Sequence, residues 1–174
     1  MWLSKSLILG LLVSLSLAAC GFSPAYAPGG SGNALQNTIL AAEPRDKPAF
    51  DFVERLEERL GPSDIPQFGL SYQIALKPIG VAITTDNAIT RYHLTGVVTW
   101  ALSDVITGAK LTGGRAESFT SYSATGSTVA GLAAEEDAAQ RLMRILADQI
   151  VSQLLATSSQ WAGVGAVEVG AAGE

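Results

Sequence analysis

Arg91-Tyr92-His93-Leu94-Thr95-Gly96-Val97-Val98-Thr99-Trp100-Ala101-Leu102 is the stretch that decides the fold. Tyr92, Leu94, Val98, Trp100 and Leu102 fall on one side of an extended chain. Arg91, His93, Thr95 and Thr99 fall on the other. Successive side chains of a strand point to opposite faces, so this pattern predicts a strand with one face against a core. Just downstream, Asp104 and Thr107-Gly108 supply a turn, and a second strand is expected from Ala109 to about Tyr122. The two read as a hairpin, and Gly113-Gly114 in the second predicts a bulge. Upstream, Leu70, Tyr72, Ile74 and Leu76 alternate with Ser71, Gln73 and Lys77. Pro78 cannot donate to a ladder and predicts an edge strand or a bend. Ile79, Val81 and Ile83 then resume the alternation in the opposite register.

Helices flank this sheet. From Pro48 to Leu60, Phe50, Val53, Leu56 and Leu60 form an apolar stripe at helical spacing, and Gly61-Pro62 is a stop. Asp51 and Arg55, four residues apart, read as a pair on its wet side. A longer helix is expected from about Thr128 to Ala156. Leu132, Leu142, Ile145, Leu146, Ile150, Leu154 and Leu155 make its stripe. Glu135, Glu136 and Asp137 lie near its positive end, and Asp137 pairs with Arg141. Thr38 to Ala42 is a short apolar run and a plausible first strand. The expected fold is α+β: two helices packed on one face of a mostly antiparallel sheet of about four strands, a two-layer sandwich.

At the start of the chain, Lys5 precedes an apolar run from Leu7 to Ala19, which ends Leu17-Ala18-Ala19-Cys20-Gly21. The run is short for a permanent span and has the layout of a secretory leader. Cys20 is the only cysteine, so no intrachain disulfide can form. The Leu-Ala-Ala-Cys end resembles the lipobox of bacterial lipoproteins, which implies cleavage before Cys20 and lipid on its sulfur and amine. The alternative is an ordinary leader cut after Ala19 or near Ala27. The domain plan is a signal peptide over 1–19, a lipidated tether over 20–37, an α+β domain over 38–157 and a Gly/Ala-rich disordered tail over 158–174. Phe22 and Tyr26 in the tether read as interfacial anchors or loose packing. Two or three acyl chains would anchor the protein almost permanently. Gly21, where inner-membrane lipoproteins carry Asp, resembles outer-membrane sorting.

The chain carries eleven Lys/Arg against sixteen Asp/Glu, and loss of Lys5 with the leader leaves ten, a net charge of −6. That balance argues against nucleic acid as a partner. Catalytic chemistry is equally hard to find. His93 is the only histidine, no cluster has metal-ligand spacing, and no serine lies in a nucleophile-elbow context. Gly29-Gly30-Ser31-Gly32 lacks the lysine of a phosphate loop. The expectation is a non-enzyme with no metal and no cofactor beyond the lipid on Cys20.

Several features converge on one family. Ala18-Ala19-Cys20-Gly21-Phe22-Ser23-Pro24-Ala25-Tyr26 resembles the Cys-Gly-Phe-x-x-x-Tyr opening of the LptE family of LPS-assembly lipoproteins. Arg91-Tyr92-His93-Leu94-Thr95-Gly96, Leu102-Ser103-Asp104 with Thr107-Gly108, Ser121-Tyr122-Ser123 and the helix containing Ala147-Asp148-Gln149-Ile150 are similar as well, over residues 17 to about 156. The resemblance implies a partner, an LptD-type outer-membrane β-barrel. It implies that this chain plugs and helps assemble the barrel from the periplasmic leaflet, and assists insertion of lipopolysaccharide into the outer leaflet. Lipopolysaccharide is anionic, so Arg91, Lys110 and Arg115 are the candidate ligand-binding residues, with Arg91 and Arg115 expected to share one basic patch. Their alternative is ordinary strand-surface charge. The rival function is an auxiliary lipoprotein of an ABC-type lipid-transport system.

Overall fold

The computed structural model describes residues 31–85, 88–124 and 126–161. Seven elements follow in order: α1 (Ser31–Leu35), β1 (Ile39–Ala41), α2 (Lys47–Leu60), β2 (Phe68–Ile83), β3 (Ile89–Asp104), β4 (Lys110–Ser123) and α3 (Thr128–Trp161). The sheet order is β1-β2-β3-β4. β1 runs parallel to β2, while β2, β3 and β4 form an antiparallel meander. The α+β expectation holds, with one parallel pair. Cys20, the leader, tether residues 20–30 and residues 162–174 lie outside the described residues, as do the readings of Phe22 and Tyr26, whereas the described end of the expected tether is part of the domain: residues 31–35 form α1 and Leu35 is fully buried in the core.

β3 is the centre of the molecule. Leu94, Val98, Trp100 and Leu102 are buried on the face that both helices cover. Against them lie Leu142, Met143, Leu146, Ile150, Val151 and Leu154 of α3, none with measurable exposure. Each such side chain contributes about 1.5–3 kcal/mol by leaving water. Gly96 sits among them because α3 crosses there: a β-carbon on Gly96 would lie 2.9 Å from Leu142 Cδ2 and 3.0 Å from Leu146 Cδ1.

Local chemistry sets the element ends. The Asp46 carboxylate accepts from Ala49 N at 2.8 Å and caps α2. The helix stops at Gly61, whose φ of 78° belongs to the left-handed region, and whose absent β-carbon leaves room for the Asn37 side chain. Between β3 and β4, Asp104 Oδ1 accepts from Ile106 N, Thr107 N and Thr107 Oγ1 at 2.9, 2.7 and 3.0 Å. The Thr107 bonds, first of all, hold the Asp104 carboxyl below its usual range. Gly108 closes that turn with φ 70°.

Several expectations are corrected. Phe52, not Phe50, is the core aromatic of α2: Phe52 is fully buried and packs on Tyr72, while Phe50 is 55% exposed. Asp51 is buried and pairs with Lys47 at 2.6 Å instead of with Arg55. Arg55 crosses to the other helix. Its Nε and Nη2 donate to the two Asp148 oxygens at 3.1 and 3.0 Å, and Nη1 to Glu58 at 2.8 Å. Leu132 and Ile145 are exposed, and Met143 and Val151 take their place in the α3 stripe. The Asp137–Arg141 pair forms, at 3.1 Å.

The bulge is not at Gly113-Gly114, which pair regularly with Ala101 and Trp100. It lies at Leu111, where the register jumps from Thr112 opposite Leu102 to Lys110 opposite Ser103. The glycines are spatial: a β-carbon on Gly113 would meet the Trp100 carbonyl at 2.9 Å, and one on Gly114 would meet Gln153 Oε1 at 3.0 Å. Gln153 uses that room, accepting from Trp100 Nε1 at 3.1 Å and donating to the Arg115 carbonyl at 3.2 Å. Lastly, α3 continues past Thr157 to Trp161, and residues 158–161 belong to the domain and not to a disordered tail. Trp161 is buried edge-on against Phe68, ring centroids 5.2 Å apart.

Candidate functional site

α2 and α3 lie on one side of the sheet, and among the described residues the opposite face is left open. Strand parity assigns its residues. Register places Gln73 beside Thr99 and Arg115, Lys77 beside Thr95 and Phe119, and Ile79 beside His93 and Ser121. Arg91 lies between Ala82 and Ser123, and Lys110 opposite Ser103. Among the described residues this face carries Lys77, Arg91, Lys110 and Arg115 against one carboxylate, Glu117. On a chain of net charge −5, that is a strong asymmetry. The acids are concentrated in the helices and loops.

The three basic residues expected from the sequence are all on the open face, but they do not form one patch. Arg91 starts β3 and pairs with Ser123 at the end of β4. Arg115 is eight residues back along β4, roughly 27 Å at about 3.4 Å per residue. The expected shared patch of Arg91 and Arg115 is therefore not formed; the antiparallel hairpin carries them apart. Lys110 lies at the Arg115 end of the hairpin, with its Cε 3.1 Å from the point a Gly113 β-carbon would occupy, two residues before Arg115 on β4. Arg115 is partly neutralised by Glu117, Nη2 to Oε2 at 2.6 Å. Lys77 is a fourth cation that the sequence candidates omit, although its place in the Ser71-Gln73-Lys77 alternation already puts it on this face.

Apolar groups accompany the charges. Phe119 is 58% exposed and stacks on His93 at 5.0 Å, with Ile79 of the next strand in the His93 row. His93 is thus a stacking partner. Four cations spread around an apolar centre on an uncovered sheet face suit an anion with an apolar body. Among the described residues, no group of His, Cys, Asp and Glu is arranged to hold a metal, and no helix is long and apolar enough to cross a membrane.

A single-domain α+β sandwich with one open, cationic sheet face is the class that these features define. The model of the LptE, lipopolysaccharide-assembly, family matches residues 37–154, and the chain belongs to that family. Similar folds occur in a Caulobacter crescentus protein described as a lipoprotein, at 23% identity and TM-score 0.60, over 74% of this chain and 95% of that one. Rare lipoprotein B from Shewanella oneidensis is 15% identical with TM-score 0.55, over 71% and 96%. A minor lipoprotein from Acinetobacter baumannii is 21% identical with TM-score 0.52, over 71% and 94%. Comparison with curated proteins gives no match.

Proposed function

We propose that this chain is a lipoprotein held by Cys20 in the periplasmic leaflet of the outer membrane, where it plugs an LptD-type β-barrel, helps it assemble and assists lipopolysaccharide insertion. Family membership supports the lipopolysaccharide-assembly role. The observation that carries the finer reading is the open sheet face with Lys77, Arg91, Lys110 and Arg115 around Phe119 and Ile79. Phosphates of an anionic glycolipid would meet the cations through charge-assisted hydrogen bonds. A barrel lumen is polar, and the Ser, Thr and Gln side chains of this face match it. Lipid anchoring beside the barrel would raise the effective concentration of the two partners. The role is non-catalytic.

Depletion of the protein, followed by an assay for lipopolysaccharide at the cell surface, tests the reading. Surface lipopolysaccharide should fall, and the barrel should misassemble. Co-purification of the full chain from detergent-solubilised envelope should yield an outer-membrane barrel; recovery of an inner-membrane ABC-type complex instead would overturn the proposal. For the ligand face, reversing Lys77 and Arg91 to Glu should weaken lipopolysaccharide capture, and so should reversing Lys110 and Arg115. The two pairs form separate arms because Arg91 and Arg115 lie at opposite ends of the face, with Lys77 in the Phe119 row between them. Replacing Cys20 by Ser should release the protein from the membrane fraction.

A further inference from the structure

Among the described residues, β2 has a neighbour on its outer side only as far as β1 reaches. The β1–β2 ladder pairs Ile39, Leu40 and Ala41 with Phe68, Gly69 and Leu70, and its final bond runs from Ala42 N to Leu70 O at 2.8 Å. The chain then turns away into α2. On the other side, β2 pairs with β3 without interruption to Gly80. Along a strand in such a ladder, the backbone groups of alternate residues point to opposite neighbours. Phe68 N bonds to Thr38 on the β1 side, and Gln67 O to Val105 on the β3 side. The same alternation aims the N–H and C=O groups of Tyr72, Ile74 and Leu76 at the side where, among the described residues, no strand lies.

That side is a groove and not a flat rim. The turn from Ala42 to Asp46 and Ala49 of α2 wall it opposite Tyr72 and Ile74, enclosing about 750 Å³. A second observation concerns a residue of the same wall. Tyr72 Oη is shut off from water and has no hydrogen-bond partner, the one such buried side-chain atom among the described residues. Buried polar groups are ordinarily paired, so Tyr72, which lines the groove, carries an unmet donor beneath the groove wall. The edge has a built-in end. Pro78 has the same parity as Tyr72, so its missing N–H faces outward, and Lys77 precedes it; Pro and Lys are edge-blocking residues.

We propose that the β2 edge between Tyr72 and Leu76 is a docking slot for an extended strand of about five residues from a partner protein, which continues the line of β1 and completes the sheet. An extended backbone is the occupant that satisfies a row of alternating donors and acceptors. Pairing of two copies through this same edge fits poorly, because the matching edge is walled by the same 42–46 turn and closed by the same Lys77-Pro78.

The test uses the full chain, ¹⁵N-labelled in detergent, and the blocked pentapeptide acetyl-Thr-Val-Thr-Val-Thr-amide as probe. Titration should shift the Tyr72, Ile74 and Leu76 amides together and slow their hydrogen exchange, while Gln73 and Ala75, already bonded to β3, move little. Two further peptides carry N-methyl groups on residues 2 and 4, or on residues 3 and 5. Only one alternate set of peptide amides faces the slot, so one methylated peptide should bind at least about tenfold more weakly and the other nearly as well as the parent. Absence of saturable shifts at these amides overturns the proposal. So does equal loss, or equal retention, of binding by the two methylated peptides, since either outcome means adsorption without strand pairing. The protein is unaltered in every arm, so no outcome can be assigned to misfolding.

Discussion

Replacing Gly96 by alanine puts one methyl group where α3 already stands. The new carbon would sit 2.9 Å from Leu142 Cδ2, 3.0 Å from Leu146 Cδ1 and 3.2 Å from Leu142 Cγ. Ordinary carbon contacts begin near 3.5 Å, so both leucines must move by about half an ångström. Neither has free space, because both are fully buried. Overpacking of this kind costs about 1–3 kcal/mol, while the alanine regains only about 0.5–1 kcal/mol of glycine's chain entropy. A net loss of roughly 1–2 kcal/mol is expected. The cause can be isolated with a second substitution. Leu142→Ala alone should cost about 2–5 kcal/mol through the cavity it leaves. In the double variant the methyl group added at position 96 moves into that cavity, so the combined loss should fall short of the sum by about 1 kcal/mol or more. Urea unfolding followed by the fluorescence of buried Trp100 measures all four corners. A neutral or stabilising Gly96→Ala, or strict additivity in the double variant, would refute the argument that close approach of helix and strand requires glycine there.

Other expectations concern the remaining contacts. Trp161→Ala should cost about 3–5 kcal/mol in the same urea assay, because a buried aromatic is lost at the helix end; a chain stopped after Thr157 should be destabilised similarly. Arg55→Lys cannot reproduce the two-pronged contact with Asp148; it should cost about 0.5–1.5 kcal/mol, a loss that shrinks as salt is added. Burial holds the Tyr72 phenol above its ordinary pKa. Its neutral form is therefore favoured in the folded state. That contribution is complete below about pH 10, the unfolded value, and is lost as pH rises through the higher folded value. Tyr72→Phe should flatten this alkaline decline in a pH series of melting curves. At neutral pH it should leave stability unchanged or raise it by up to about 1 kcal/mol, since an unpaired hydroxyl is removed.

The meander is readable because β3 and its turn repeat one signal several times over. Five apolar positions at period two, then Asp104, Thr107 and Gly108, leave one arrangement consistent with all of them. α2 is ambiguous for the opposite reason. Phe50 and Phe52 are two residues apart, about 200° around a helix, and either completes a stripe with Leu56 and Leu60. The choice falls to Phe52 because Tyr72 waits on β2, a contact that no local pattern encodes. Trp161 poses the same problem: its neighbours read as a Gly/Ala-rich tail, and the aromatic partner that seats it, Phe68, is far away in sequence. Gly113-Gly114 announces an irregularity that the backbone lacks, since the space they leave belongs to Lys110, Trp100 and Gln153. In the candidate site, parity places each cation on the correct face. Distance along the hairpin separates Arg91 from Arg115, and that requires the register.

β1 differs from the rest of the sheet in how it is reached. β2, β3 and β4 follow one another through short reversals, so each can zip onto the last soon after it is made. β1, three residues long, meets β2 only after the whole of α2 has been laid down between them, and such non-local pairing comes late. α1 and β1, which lie between the amino-terminal lead-in and α2, are then expected to lock last and peel away first. Pulling on that lead-in should draw Leu35 of α1 out of the core and lift β1 from the sheet before it disturbs the meander, which makes the α1–β1 segment a mechanical fuse.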